Sequence, residues 1–296
     1  MEAILPKPGI FIVAVSGGVD SMTLLHLLNL EVHKNDKTKL IVAHLDHGIR
    51  PDSSLDRKHV QDVSSKLDIP FVYHESKLGA GASEDEARKA RYGFLNKVKD
   101  SSNATAIVTA HHQDDQIETA IINIIRGSGR KGLTSLKSTD QLLRPLLNYS
   151  KKDIINYAKK NNIKWIEDSS NADTKYLRNY IRHQIIPKFD NESRQKFITL
   201  LGKQAGVNSE LDDLLNLLLN QQDIPGTLDR DWFILLPHNT AKEILASWLR
   251  NNNIRTFDKK TLERLVVSGK TARPGLIFPI SGARSLKINK NNLALV

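Results

Sequence analysis

The 296-residue chain contains no cysteine. That excludes structural disulfides, thiolate zinc sites, iron–sulfur clusters and any mechanism that carries sulfur on a protein thiol. Long apolar runs are missing too: none approaches the roughly 18–20 residues needed to span a bilayer. The short apolar run behind Met1 has no small-residue cleavage site after it. Internal repeats and low-complexity tracts are absent. A soluble cytoplasmic protein with no membrane partner is expected. Two common motifs also fail. Gly269 to Thr271 spells Gly-Lys-Thr, but Arg264 stands where a Walker loop needs its first glycine, and a helix precedes it. Gly269 therefore reads as a helix C-cap. Several histidines are present, but no HExxH spacing accompanies them.

What the chain has in excess is positive charge, a formal +10. Such a balance favours a polyanionic partner, nucleic acid being the commonest.

Strand-like and helix-like segments alternate through the first two-thirds. Strands are expected at Phe11 to Val15, in "KLIVAHLDH", "FVYHES" and "AIVTAHH", and in "IKWIED". Helices are expected from Met22 to Leu28 and in "SSLDRKHVQDVSSKL", "SEDEARKARYGFLNKVK", "DDQIETAIINIIRG" and "SKKDIINYAKKNN". Ser83 with Glu86 forms a capping box, and Ala87, Ala90, Phe94 and Val98 make the core stripe behind it. Repeated βα units imply an α/β fold, a parallel twisted sheet with helices on both faces. From about Asn191 the pattern turns helical, with a helix opened by Thr240 and Glu243 and a terminal hairpin turning at Asn289 to Asn292. A boundary at Pro187 to Glu192 gives domains 1–188 and 189–296, the second smaller and mainly helical.

The chemistry concentrates at strand ends. In "IFIVAVSGGVDSMTLLHLL" a buried strand runs into Ser16, Gly17, Gly18, Val19, Asp20 and Ser21 before a helix opens. Adjacent glycines admit a close ligand, and the helix N-terminus favours an anion. Asp20 has no use against a bare phosphate but makes sense beside Mg²⁺. "HLDHGIR" offers His44, Asp46, His47 and Arg50, and "TAHHQDDQIET" offers His111, His112, Asp114, Asp115, Gln116, Glu118 and Thr119. Both clusters fall at the carboxyl ends of strands, the edge where parallel sheets bind ligands. "RGSGRKGL" is a glycine-rich basic loop carrying Arg130 and Lys131. Lys175, Arg178 and Arg182 form one basic stripe on a helix, flanked by buried-looking Tyr176 and Tyr180.

"SGGVDS" after a first strand resembles the pyrophosphatase loop of the N-type ATP pyrophosphatases, a Rossmann-like fold whose members cut ATP between the α and β phosphates. With "HLDHGIR", "EARKARYGFL", "TAHHQDDQIET", "RGSGRKGL", "RPLL" and "EDSSNADTKYLRNYIR" in the same order, the chain is similar to the tRNA(Ile)-lysidine synthetase family. The likeness is strongest over residues 10–185. It implies ligation of free L-lysine to the wobble cytidine of an isoleucine tRNA with a CAU anticodon. An adenylated cytidine would form first, with ATP and Mg²⁺ as cofactors, and AMP and pyrophosphate would be released. Codon reading would change from AUG to AUA. Ser16 to Ser21, His44 and Arg91 are then expected at the nucleotide, and Asp20 and Asp114 at the metal. Asp46, Asp114, Asp115, Glu118 and His112 are candidates for handling the amine and its proton, Asp114 first among them. Arg130, Lys131, Lys175, Arg178 and Arg182 would meet tRNA. Longer family members carry a second C-terminal domain for which this chain is expected to leave no room, so rejection of methionine tRNA would fall to the basic helical domain or to other contacts. The alternatives are another adenylating tRNA-modifying enzyme of thiolase type and a non-catalytic ATP- or RNA-binding module.

Overall fold

A computed structural model describes residues 1–33, 37–46, 53–76, 79, 83–167, 177–221 and 226–296. The chain divides into two compact units, Met1–Gln204 and Ala205–Val296.

The first unit is built on a parallel sheet of β1 (Ile10–Ala14), β2 (Lys39–Asp46), β3 (Phe71–Glu75), β4 (Ala106–Val108) and β5 (Leu142–Leu143), in the spatial order β3-β2-β1-β4-β5. Strands buried on both faces read as continuous apolar runs, and β1 shows why. Phe11, Val13 and Val15 join one core with Leu24, Leu25 and Leu28 of α1 (Val19–Val32) and with Ile154 and Ala158 of α6 (Lys151–Lys160). Ile12 points the other way, into a core with Ala43, Ile107 and Leu95 of α3 (Glu84–Ser101). α3 opens with the expected capping box, Glu86 N–H to Ser83 Oγ and Ser83 N–H to Glu86. α2 is Ser53–Lys66, and α4 (Gln113–Ile125) follows β4.

Several expectations need correction. The described part of "IKWIED", residues 163–167, is not a strand: the edge beside β4 belongs to Leu142–Leu143. Ile163 and Trp165 instead pack onto the larger core, and Ile166 N–H donates to the Gly17 carbonyl at 3.0 Å. "RGSGRKGL" is not wholly loop, since Arg130–Leu133 forms one helical turn, α5, tied by Asn123 Nδ2 to the Gly132 carbonyl at 2.7 Å. α7 (Leu177–Tyr180) runs into a wider turn at Ile181–Ile185, and Tyr180 is exposed rather than buried. His47 to Arg50, Lys175 and Tyr176 lie outside the described residues.

The long α8 (Asn191–Asn220) leads into the second unit, where α9 (Arg230–Leu235), α10 (His238–Asn251) and α11 (Lys259–Thr271) surround one core. The terminal hairpin, β8 (Arg284–Ile288) and β9 (Asn292–Leu295), is the centre of an antiparallel sheet flanked by β6 (Thr227–Asp229) and β7 (Ile277–Ser281). Pro279 confines β7 to an edge. α10 starts after Pro237, so Thr240 lies inside it and caps nothing. Gly269 is no C-cap either, because α11 continues to Thr271. A Cβ there would come within 3.0 Å of Phe233 and 3.2 Å of Leu293, and its carbonyl accepts from buried Arg230 at 3.0 Å. Close packing selects this glycine. Gly269→Val is expected to lower unfolding stability by about 2 kcal/mol, read as a lower denaturant midpoint at unchanged slope.

Candidate active site

Strand order brings the site together. β1 pairs with β2 on one side and β4 on the other, and the direction of winding reverses between β1 and β4. In open parallel sheets ligands bind at this switch point. The loop after β1 and the "AHHQDD" segment after β4 therefore share one crevice.

The loop is shaped by its own polar groups. Gly17 has φ +96°, which side-chain-bearing residues rarely adopt. Ser21 Oγ donates to the Gly18 carbonyl at 3.0 Å and accepts from Ser16 N–H at 3.1 Å, and the two serine hydroxyls lie 3.2 Å apart. Gly18 is the N-cap of α1 and supplies no side chain to its first turn. The N–H groups there have no cap from the N-cap side chain, an arrangement suited to an anion. His44 is buried and its Nδ1–H donates to the Val15 carbonyl at 2.8 Å. Burial holds its pKa below the usual histidine value, so it braces the loop as a neutral ring.

A connected chain of charges leads away from the loop. Lys151 Nζ, at the start of α6, donates to both oxygens of Asp20 at 2.7 Å. His112 is buried, with Nε2 3.8 Å from Asp20 Oδ2 and 3.5 Å from Asp115 Oδ2. Its own backbone N–H donates to that Asp115 oxygen at 2.9 Å. Arg182 reaches Asp115 at 3.4 Å and Glu118 at 2.9 Å, and Arg178 Nε reaches Glu118 at 2.6 Å. Asp114 is held by Arg194 on α8 and by the backbone N–H of Lys151 at 3.1 Å. Burial pushes Glu118 up to about 7, against the pull of Arg182. Burial also acts to raise Asp115, but His112, His111, the His112 N–H and Arg182 outweigh it and lower its pKa. His111, hydrogen-bonded to Thr109 at 2.9 Å, is lowered to about 4 by burial; Asp115 opposes the shift, and Arg144, Arg88 and Arg91 add to it.

The sequence-predicted residues thus separate. Ser16 to Ser21, His112, Asp114, Asp115 and Glu118 gather at the switch point, and Arg91 lies on α3, within electrostatic reach of His111. Asp46 is buried at the end of β2, with β1 between it and the α4 cluster. Arg178 and Arg182, expected at tRNA, each pair with the Glu118 carboxylate. Arg130 and Lys131 sit on α5, after α4. Sequence reasoning missed Lys151, Arg194 and buried Arg144, which donates to the Lys137 carbonyl. For Lys151 a signal existed: a cation in a helix's first turn opposes the helix dipole. Among the described residues no group of three or more His, Asp or Glu is arranged to hold a metal ion, and no helix is long and apolar enough to cross a membrane.

This sheet, with an uncapped Ser-Gly-Gly corner at its switch point, defines a PP-loop domain, and the PP-loop domain family matches residues 4–189. The tRNA(Ile)-lysidine synthase of Francisella tularensis subsp. holarctica is 33% identical over 300 residues, spanning 98% of this chain and 74% of that protein. That of Thermosipho africanus is 36% identical over 273 residues, 86% of this chain and 61% of that one. The chain belongs to the tRNA(Ile)-lysidine synthase family. Among solved structures, the U34-tRNA thiolase NcsA from Methanococcus maripaludis, with its 4Fe-4S cluster, superposes with a TM-score of 0.57. It covers 68% of this chain and 73% of its own at 17% identity, a likeness of fold alone.

His111 gives the site a pH signature. Its folded-state pKa is depressed from 6.5 to about 4, so its contribution to stability is present above about pH 6.5 and is lost as the pH falls toward 4. Denaturation midpoints between pH 7 and 4 are expected to fall less steeply for His111→Asn than for the parent chain; identical slopes would contradict the assignment.

Proposed function

We propose that the chain ligates lysine to the wobble cytidine of the CAU anticodon of an isoleucine tRNA, consuming ATP and releasing AMP and pyrophosphate. The observation that carries the reading is the pairing, across β1 and β4, of an uncapped anion cradle with a carboxylate and histidine cluster, in a chain of the lysidine synthase family. A mere nucleotide binder has no use for Asp115 and Glu118 beside its phosphate loop. A second substrate bearing an ammonium does.

In the first half-reaction the cytosine 2-keto oxygen attacks the α-phosphate, and the bond to the bridging oxygen of the β-phosphate breaks. The N–H groups of Gly17, Gly18 and Val19 and the hydroxyls of Ser16 and Ser21 receive the charge that builds on the leaving pyrophosphate. Mg²⁺, when bound, supplies further neutralisation there. It is commonly held by one or two carboxylates together with substrate phosphates. Asp20 fits that role, because it stands half-exposed in the first turn of α1. Asp114 fits it less well, with one oxygen on Arg194 and the other on a backbone N–H.

In the second half-reaction the ε-amine of lysine attacks the activated cytosine carbon, a C–N bond forms, and the C–O bond to AMP breaks. Asp115 and Glu118 would orient the incoming ammonium, with Arg178 or Arg182 giving way to it. Their guanidinium groups occupy the positions a substrate cation would take. His112 Nε2, between Asp20 and Asp115, is the acceptor for the proton the amine must lose. This reading moves the amine-handling role from Asp114 to Asp115 and Glu118. Anticodon bases are already unpaired, so presenting the cytidine to the crevice costs little. Arg91, Arg130, Lys131 and Lys175, with basic residues of domain 189–296, would grip the tRNA, and a tRNA substrate implies a cytoplasmic site of action. Sulfur transfer would need a carrier, and the chain has no cysteine.

With ATP, Mg²⁺ and a CAU-anticodon isoleucine tRNA, but no lysine, pyrophosphate release is expected. Bare ATP, or the same tRNA with the wobble cytidine replaced, should give none. Equal release in all three would sink the reading. Glu118→Gln should raise the lysine concentration for half-maximal ligation by about tenfold while leaving pyrophosphate release intact.

A further inference from the structure

We propose that Lys151 is a positioning residue for the β- and γ-phosphates of the nucleotide, parked on Asp20 until the nucleotide arrives. The inference rests on reading the loop after β1 as a pyrophosphate cradle, and it adds a residue from a different part of the chain to that cradle.

The backbone of Lys151 is fixed from three sides. Ser150 and Asp153 form a capping box around the start of α6. The Lys151 N–H donates to Asp114 Oδ2 at 3.1 Å, and the Gln113 N–H donates to the Tyr149 carbonyl at 2.9 Å. Farther along α6, Ile154 and Ala158 are fully buried in the core shared with α1. These contacts hold the backbone and leave out the side chain, whose ammonium stands 2.7 Å from both oxygens of Asp20. It is thereby tied to a side chain of the first turn of α1, the turn that opens the proposed cradle. Three helix N-termini (α1, α4 and α6) are drawn together by these contacts, and their dipoles all favour an anion at that point.

A purely structural role explains this poorly. The paired side chains are 37% and 29% exposed, and half-exposed ion pairs add little stability. α1 and α6 are already joined through buried apolar residues. A cation in a first helical turn also works against the dipole. All three features suit a lysine whose charge is needed elsewhere. An ammonium on a flexible stem meets phosphate as a point charge. Its transfer to the nucleotide would free Asp20 for the cation that accompanies the phosphates.

The test is calorimetric binding of ATP and of AMP, with Mg²⁺, to the full chain and to Lys151→Met and Lys151→Arg. AMP lacks the phosphates that Lys151 would hold. Lys151→Met is expected to weaken ATP binding by about tenfold or more and to leave AMP binding within about twofold. Lys151→Arg should recover most of the ATP affinity. Unchanged ATP binding by Lys151→Met overturns the proposal. So does an equal loss for ATP and AMP, which is what a structural staple would give. A parent chain that binds no ATP would instead overturn the reading of the loop, so the two failures are distinguishable.

Discussion

The active region depends on one electrostatic constraint: helices α1, α4 and α6 point their N-termini at the same crevice, and their first turns carry Asp20, Asp114, Asp115 and Asp153. Each carboxylate is favourable beside a helix N-terminus, but several so close together repel. Lys151, Arg182 and Arg194 relieve that repulsion for Asp20, Asp115 and Asp114, while Arg178 and Arg182 do so for Glu118 on the next turn. The balance is local and reversible in kind. In the proposed reaction a phosphate would draw Lys151 from Asp20, which then calls for a cation, and a substrate ammonium would replace an arginine beside Asp115 or Glu118.

The constraint originates in the sheet. Because β1 and β4 are adjacent and parallel, the loops that follow them open side by side, although about a hundred residues separate them in the chain. Continuous apolar runs in both strands fix that adjacency by burying both faces. His44 then braces the strand end from β2, and Ile166 donates to Gly17 from beyond α6. The cradle is thus shaped from outside as well as by its own serines.

Most of the parallel sheet was legible in the sequence, since buried strands and their helices carry strong periodicity. "SGGVDS" and "HHQDD" identified the crevice because glycine and carboxylate at strand ends have few other uses. Less legible were features decided by tertiary packing. Leu142–Leu143 is too short to signal a strand, and "IKWIED" carries a strand pattern while serving as a cover for the loop. Gly269 resembled a cap because its packing against Phe233 and Leu293 is invisible without the fold. Arg178 and Arg182 read as a basic stripe for tRNA, since nothing local reveals that Glu118, dozens of residues earlier, pairs with them. Lys151 was readable in principle, from its position against the helix dipole, but that signal is small beside the capping box next to it.

The most direct test of the account is the fate of labelled lysine when the chain is incubated with ATP, Mg²⁺ and a CAU-anticodon isoleucine tRNA. Stable incorporation at the wobble cytidine is expected, with one AMP and one pyrophosphate released for each lysine joined. Pyrophosphate release without lysine in the tRNA, or label at another nucleotide, would contradict it.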